Sequence, residues 1–311
     1  MISVERYSAA ARTEWDAFVE RSKNATFLHR RSYMDYHSAR FADHSIVFRH
    51  KGKAAALLPA HAVGGVLNSH SGLTYGGLLL GTEATAGMVC DMFAALGAYL
   101  AGQGFGKVVY KPVPHIYHSV PAEEDLYAMF HVCGARLSAR SVSSAALLPQ
   151  VLGWRGNHLR GLKRAAGVVE VREGTPLGEF WPLLEANLHG KYGVRPVHTV
   201  GEITELQRSN PGRIRQYGAF IGGEIVAGTT IYDTGRVLHV QYVASNREGN
   251  DSGALKAIYH HVMGTAPARV AYIDFGTSTE DGGRTLNRSL ALFKEGFGAR
   301  AVAYDTYEWD V

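Results

Sequence analysis

Cysteine is nearly missing from these 311 residues: only Cys90 and Cys133 occur, with neither a CxxC pair nor a Cys/His spacing. A disulfide framework and a zinc-type ligand set are thereby excluded, so both thiols are expected to be reduced and no metal site is expected. Long hydrophobic runs are also lacking. No stretch reaches the roughly 18 apolar residues of a membrane span, and the opening MISVERYSAAARTEWDAF carries charges where a signal peptide has an unbroken apolar core. A cytoplasmic chain without a membrane span is the expectation. Nor is there a strong excess of one charge: the net value is +4, and the basic residues are scattered apart from one cluster, Arg155 to Arg164. That balance gives no reason to expect DNA as a partner, yet it accommodates an anionic small substrate such as a nucleotide or CoA.

The chain is long enough for two cores at about 150 residues each. In the first half, Trp15, Phe18 and Val19 recur at helical spacing within residues 10–21, and a second helical stretch covers 32–40. Alternating strands are expected at 44–49 and 54–60 around a turn at Lys51 and Gly52. A glycine-rich segment, SHSGLTYGGLLLG, precedes a long apolar helix at 85–103 and a strand at 106–111. Three prolines then shape a loop at 112–121, ahead of a helix at 122–133. The basic connector at 138–164 marks the boundary, giving domains 1–145 and 146–311. The second half reads as a strand at 168–171, helices at 178–192 and 200–209, and three β segments at 214–221, 224–234 and 236–244. A loop, a helix at 254–263, a strand at 270–275, a glycine-rich loop, a helix at 284–297 and a last strand at 300–307 complete it.

Four separated motifs stand on this α/β plan: YKPVPHIYHSVPAEEDLYAMF at 110–130, KYGVRPVHTVGEI at 191–203, HVQYVASNRE at 239–248 and DFGTSTEDGGRTLNRSLALFKEGFGAR at 274–300. With the strand and helix order of the second half, they resemble the FemAB-like branch of the GNAT acyltransferases over nearly the whole chain. The resemblance implies two GNAT-like domains, each a mixed, mostly antiparallel sheet flanked by helices, with a cleft between them. It also implies transfer of an acyl group from a thioester or an aminoacyl-tRNA to an amine. Relatives of this kind act on peptidoglycan precursors or on nucleotide-linked amino sugars of surface polysaccharides. The peptidoglycan branch commonly has a long helical arm for tRNA, and no such insertion occurs here. The expectation is therefore an N-acyltransferase with acyl-CoA as co-substrate, no permanently bound cofactor, and a nucleotide-linked amino sugar as acceptor. The alternatives are a tRNA-dependent transferase of the Fem type and a non-catalytic GNAT-like binding module.

Acyl transfer to an amine needs a neutral nucleophile, a polarised carbonyl and a proton for the leaving group. By the resemblance, the strand with Gln241, Tyr242 and Val243 parts from its neighbour and offers a backbone N–H to the carbonyl. Strand alternation groups His239, Gln241 and Val243 on one face and Val240, Tyr242 and Ala244 on the other. Asp274, at the end of the apolar strand ARVAYIDFG, is a candidate base, or else it bonds its own turn. His198, held extended after Pro196 and before a helix capped by Thr199, is the second candidate. The donor diphosphate is expected at the loop 246–254, through Asn246, Arg247, Gly249, Ser252 and Gly253, with Ser252 as a helix cap, and Asn287 near the donor. That loop, NREGNDSGA, departs from the GNAT pattern by carrying Glu248 and Asp251. Acceptor candidates are Tyr75, Lys111, His115 and Tyr117 in the first half, where lysine meets diphosphate and rings stack on bases. Lys191, Tyr192, Ser278 and Glu280 are the candidates in the second.

Overall fold

The computed structural model describes the backbone of residues 1–311 and every side chain except those of His37 and Tyr192. The chain forms two compact units, one of Met1–Ser141, Thr279–Thr285 and Ala303–Val311, the other of Val142–Ser278 and Leu286–Val302. The last strand, Arg300–Asp310, thus begins in the second unit and ends in the first, and Arg136–Leu147 makes the reverse passage. The division expected at 145/146 leaves out this exchange of strand ends, which the non-local pairing of Tyr307 with Tyr110 brings about.

In the first unit, Ile2–Arg6, Ile46–His50, Lys53–Leu58 and Leu79–Leu80 form an antiparallel sheet. Val66–Asn68 runs parallel to Lys107–Tyr110, which pairs in turn with the end of the last strand. The helix Ala86–Gly102 buries Val89, Met92, Phe93, Leu96 and Leu100, a helical stripe that packs with Phe48, Leu58, Val108, Tyr110 and Trp309 into one core. Burying such a stripe is worth about 1.5–3 kcal/mol per large side chain.

The second unit orders its strands as the end of Arg136–Leu147, then Tyr272–Thr277, Val237–Ser245, Glu224–Asp233, Ile214–Ile221 and Glu170–Glu173. All neighbours are antiparallel except Val237–Ser245 and Tyr272–Thr277. The helices Gly156–Ala165, Leu177–Tyr192, Val200–Ser209, Ala254–Gly264 and Arg288–Glu295 accompany this sheet. Thr199 caps Val200–Ser209 in a reciprocal box with Glu202. Two segments differ from the sequence reading. The basic connector holds the strand Arg136–Leu147 and the helix Gly156–Ala165, whose buried face is made of His158, Gly161 and Ala165 without large apolar side chains. The expected loop at 246–254 contains a short helix, Arg247–Ser252. Among the described residues no helix is long and apolar enough to cross a membrane.

Candidate active site

The parallel pairing of Val237–Ser245 with Tyr272–Thr277 covers only Val237↔Tyr272, Leu238↔Ile273 and His239↔Asp274. Beyond His239 the strands part. On the other side of Val237–Ser245, Tyr242 faces Thr230 but Val240 faces Ile231, so Gln241 is an extra residue that breaks the ladder. Paired residues point to the same face, while Tyr232 and Thr230, two apart on the regular partner, share a face. Their partners His239 and Tyr242 therefore lie on one face of the sheet. Simple alternation separates those two residues; the bulge brings them together.

Asp274 is wholly buried and accepts hydrogen bonds from the Ser143 hydroxyl, from the Gly276 N–H at 3.0 Å, and from His239 Nδ1 at 3.0 Å. Gly276 has φ +76°, and that turn lets its N–H curl back onto the carboxylate. A carboxylate can only accept, so the proton between Asp274 and His239 sits on Nδ1, which leaves Nε2 of a neutral imidazole as a proton acceptor. Lys294, almost completely buried, donates to the carbonyls of Gly276 (2.8 Å) and Thr277 (2.6 Å). Burial pushes its ammonium down to about 8, against the upward pull of the Asp274 carboxylate. Ser143 and Lys294 carry no sequence signal of their own, although Lys294 stands in ALFKEGFG; His239 opens the motif HVQYVASNRE, but its pairing with Asp274 joins two distant segments.

His198 is buried, and its Nδ1 shares a hydrogen bond with the Tyr242 hydroxyl. Burial raises the Tyr242 phenol to about 12, while bonds to His198 and Gln241 lower it. The Trp181 ring lies edge-on to Tyr242 at 5.2 Å. Trp181 Nε1, Gln241 Oε1 and Ser278 Oγ are buried polar atoms with no partner among the described residues. Such orphans are rare in folded proteins, and a bound ligand is one way to satisfy them.

Where the strand Val237–Ser245 ends, an open cavity of about 520 Å³ is lined by Asn187, Lys191, Asn246, Arg247, Asn250 and Asp251. The structure thus unites Lys191, expected for the acceptor, with Asn246 and Arg247, expected for the donor. The other loop residues are engaged by the protein. Asn246, not Ser252, supplies the cap, accepting from the Gly249 N–H at 2.8 Å, and the Ser252 hydroxyl donates to the Gly249 carbonyl at 3.2 Å. A Cβ on Gly249 would meet the Val226 carbonyl at 2.3 Å, and one on Gly253 the Gly161 carbonyl at 2.3 Å. These glycines let segments pack closely. Asn287 caps Arg288–Glu295 by accepting from the Leu290 N–H at 3.1 Å, and Val243 is exposed. The Tyr192 side chain lies outside the described residues.

In the first unit, Tyr75 and Tyr117 are buried with ring centres 4.5 Å apart, and the Tyr304 hydroxyl donates to that of Tyr117 at 2.9 Å. Lys111 is half-buried, and burial lowers its ammonium. Its carbonyl accepts from the Gly76 N–H at 3.2 Å, which ties the two expected loops together. His115 points to solvent, and Glu280 belongs to this unit. Among the described residues no group of three or more His, Cys, Asp and Glu is placed to hold a metal.

Parted parallel strands with a bulge at the parting accord with the comparisons: residues 157–282 match the family model of a GNAT acetyltransferase domain, and the fold of the chain is FemAB-like. The individual likenesses are distant. The fold is similar to that of FemX, with 10% identity and a TM-score of 0.71 over 99% of this chain and 97% of that one. It is similar to L-PGS from Bacillus licheniformis, with 14% identity and a TM-score of 0.61 over 97% and 92%. A tandem GNAT protein from the clavulanic acid biosynthesis pathway has 15% identity and a TM-score of 0.55 over 100% and 98%. No curated protein matches the sequence.

Proposed function

We propose that the protein transfers an acyl group from acyl-CoA to the amine of a nucleotide-linked amino sugar, with bond making at the parting of Val237–Ser245 and Tyr272–Thr277. The observation that carries this reading is the buried Asp274–His239 pair at the point where the strands separate. His239 Nε2 takes the proton of the attacking amine, and Asp274 fixes the ring and offsets the charge that forms on it. The base role thus moves from Asp274 to the histidine it orients. A backbone N–H released at the Gln241 bulge polarises the acyl carbonyl. Tyr242, kept protonated at neutral pH, gives its proton to the departing thiolate and recovers it through His198.

From Gln241 to Asn246 the strand advances about 17 Å at 3.3–3.4 Å per residue, a span that a pantetheine arm bridges. The donor diphosphate would then lie in the cavity of Lys191, Asn246 and Arg247, and the orphan Ser278 hydroxyl is offered to an acceptor hydroxyl. The reaction is taken to be cytoplasmic, because acyl-CoA and nucleotide-linked sugars are both cytoplasmic compounds. Saturating acyl-CoA should raise the melting temperature of the wild type, since about a hundredfold excess over Kd adds roughly 2.7 kcal/mol. Lys191→Ala with Arg247→Ala should weaken that shift while leaving kcat nearly unchanged. A shift that survives both substitutions would remove the cavity from donor binding.

A second reading has its own support. The Gly249 N–H and the Ser252 hydroxyl of the 246–253 turn are taken up within the protein, and the turn carries Glu248 and Asp251 near the expected diphosphate, which favours an aminoacyl-tRNA as the alternative donor. No thermal shift with any acyl-CoA, together with aminoacyl transfer from charged tRNA, would select it.

A further inference from the structure

Residues 142–169 contain no Asp or Glu, yet they carry Arg155, Arg160, Lys163 and Arg164. The helix Gly156–Ala165 buries His158, Gly161 and Ala165 and turns Leu159, Arg160, Lys163 and Arg164 outward. Just before it, Val151 is 71% exposed and Leu152 41% exposed, and Leu159 on the helix is 45% exposed. These apolar side chains are not exposed by a loose loop. Gln150 Nε2 donates to the Phe297 carbonyl at 2.8 Å, the Arg155 N–H donates to the Gly296 carbonyl at 2.8 Å, and the Leu152 carbonyl sits against Gly298 so closely that a Cβ there would lie 2.2 Å away. The backbone is fixed, and it presents Val151 and Leu152 to solvent. Beside them lies a cavity of about 400 Å³ lined by Leu148, Pro149, Trp154, Leu159, Leu162 and Met263.

The cations of this segment are largely available. Among the described residues Arg160 and Lys163 have no acidic partner. Arg155 has Glu295 at 3.5 Å, and Arg164 donates to the Asp251 carbonyl at 3.1 Å. Protruding apolar side chains and cations presented by one short segment complement one surface in particular, an anionic lipid bilayer, where the apolar tips enter the acyl boundary and the cations meet phosphates. A nucleic acid backbone would match the cations but would leave Val151 and Leu152 without a role.

We propose that the 150–164 segment is a docking surface for an anionic membrane, with Val151, Leu152 and Leu159 inserted and Arg160 and Lys163 on the headgroups. This site is independent of the donor and acceptor chosen above.

The test is sedimentation with vesicles of phosphatidylcholine alone and of equal parts phosphatidylcholine and phosphatidylglycerol. Binding is expected only to the anionic vesicles and should fall with salt. Arg160→Gln with Lys163→Gln should weaken it by roughly twenty- to thirtyfold, at about fivefold per charge. Val151→Ser with Leu152→Ser should weaken it by about tenfold or more. Should a variant fold poorly, the wild type gives an independent readout. Trp15, Trp181 and Trp309 are at most 4% exposed, so quenching by brominated lipid reports on Trp154. No binding to anionic vesicles, binding that ignores either pair of substitutions, unquenched Trp154, or tRNA bound in place of vesicles would overturn the proposal.

Discussion

Asp274→Asn removes one charge and almost no volume, so its consequences can be worked out atom by atom. In the wild type one carboxylate oxygen takes the Ser143 hydroxyl and the Gly276 N–H, and the other takes His239 Nδ1–H. An asparagine satisfies the first pair with its carbonyl oxygen, which turns its amide NH₂ toward His239. The imidazole must then accept at Nδ1 and carry its proton on Nε2, the atom proposed to receive the proton of the amine. General-base catalysis is lost, which is worth about 10²- to 10⁴-fold in kcat, while donor binding has no reason to change. The folded state loses one charge-assisted hydrogen bond, about 1.5–3 kcal/mol. The assay is steady-state transfer with wild type and variant, alongside donor Kd and the melting curve of each. Turnover within about threefold of wild type in a folded variant would refute the assigned roles of Asp274 and His239.

Two further outcomes follow from the structure. His29 is completely buried and neutral, accepting the Thr26 N–H at Nδ1 (3.0 Å), and burial pushes its imidazole down to about 4. Because its folded value lies below the ordinary imidazole value near 6.5, the unfolded chain binds the extra proton first. Stability is therefore fully present above about pH 6.5 and drains away as pH falls toward 4, by about 3 kcal/mol. Urea melts at pH 7.5 and 5 should show a large part of this loss, and equal midpoints would contradict it. Gly253→Ala puts a Cβ 2.3 Å from the Gly161 carbonyl at a residue with φ +84°, so it should cost about 2 kcal/mol or more. An unchanged melting temperature would show that the turn relaxes freely.

The fold was legible where a single period ran unbroken. The apolar run of Ala86–Gly102 and the Thr199 cap mark their helices from sequence alone. The helix Gly156–Ala165 was missed because its buried positions His158, Gly161 and Ala165 hold no large apolar side chain, although its charges, Arg160, Lys163 and Arg164, fall on one face at helical spacing. The motifs pointed to the strand HVQYVASN and to Asp274, but a one-residue bulge decided which side chains meet. A bulge leaves no mark on periodicity, so the pairing of His239 with Asp274 and its shared face with Tyr242 required three-dimensional register. The glycines of NREGNDSGA show the converse failure. Their spacing suits a phosphate turn, yet backbone carbonyls of Val226 and Gly161 fill the space in front of Gly249 and Gly253.

The central claim is acyl transfer at the parted strands with His239 as base. The most direct test is thiol release by wild type and His239→Gln, using a panel of acyl-CoAs with nucleotide-linked amino sugars and charged tRNAs as alternative partners. Acceptor-dependent release by the wild type, reduced about a hundredfold or more in a variant that melts normally, is the expected result. Full activity in His239→Gln, or silence of the wild type across every donor and acceptor, would contradict it.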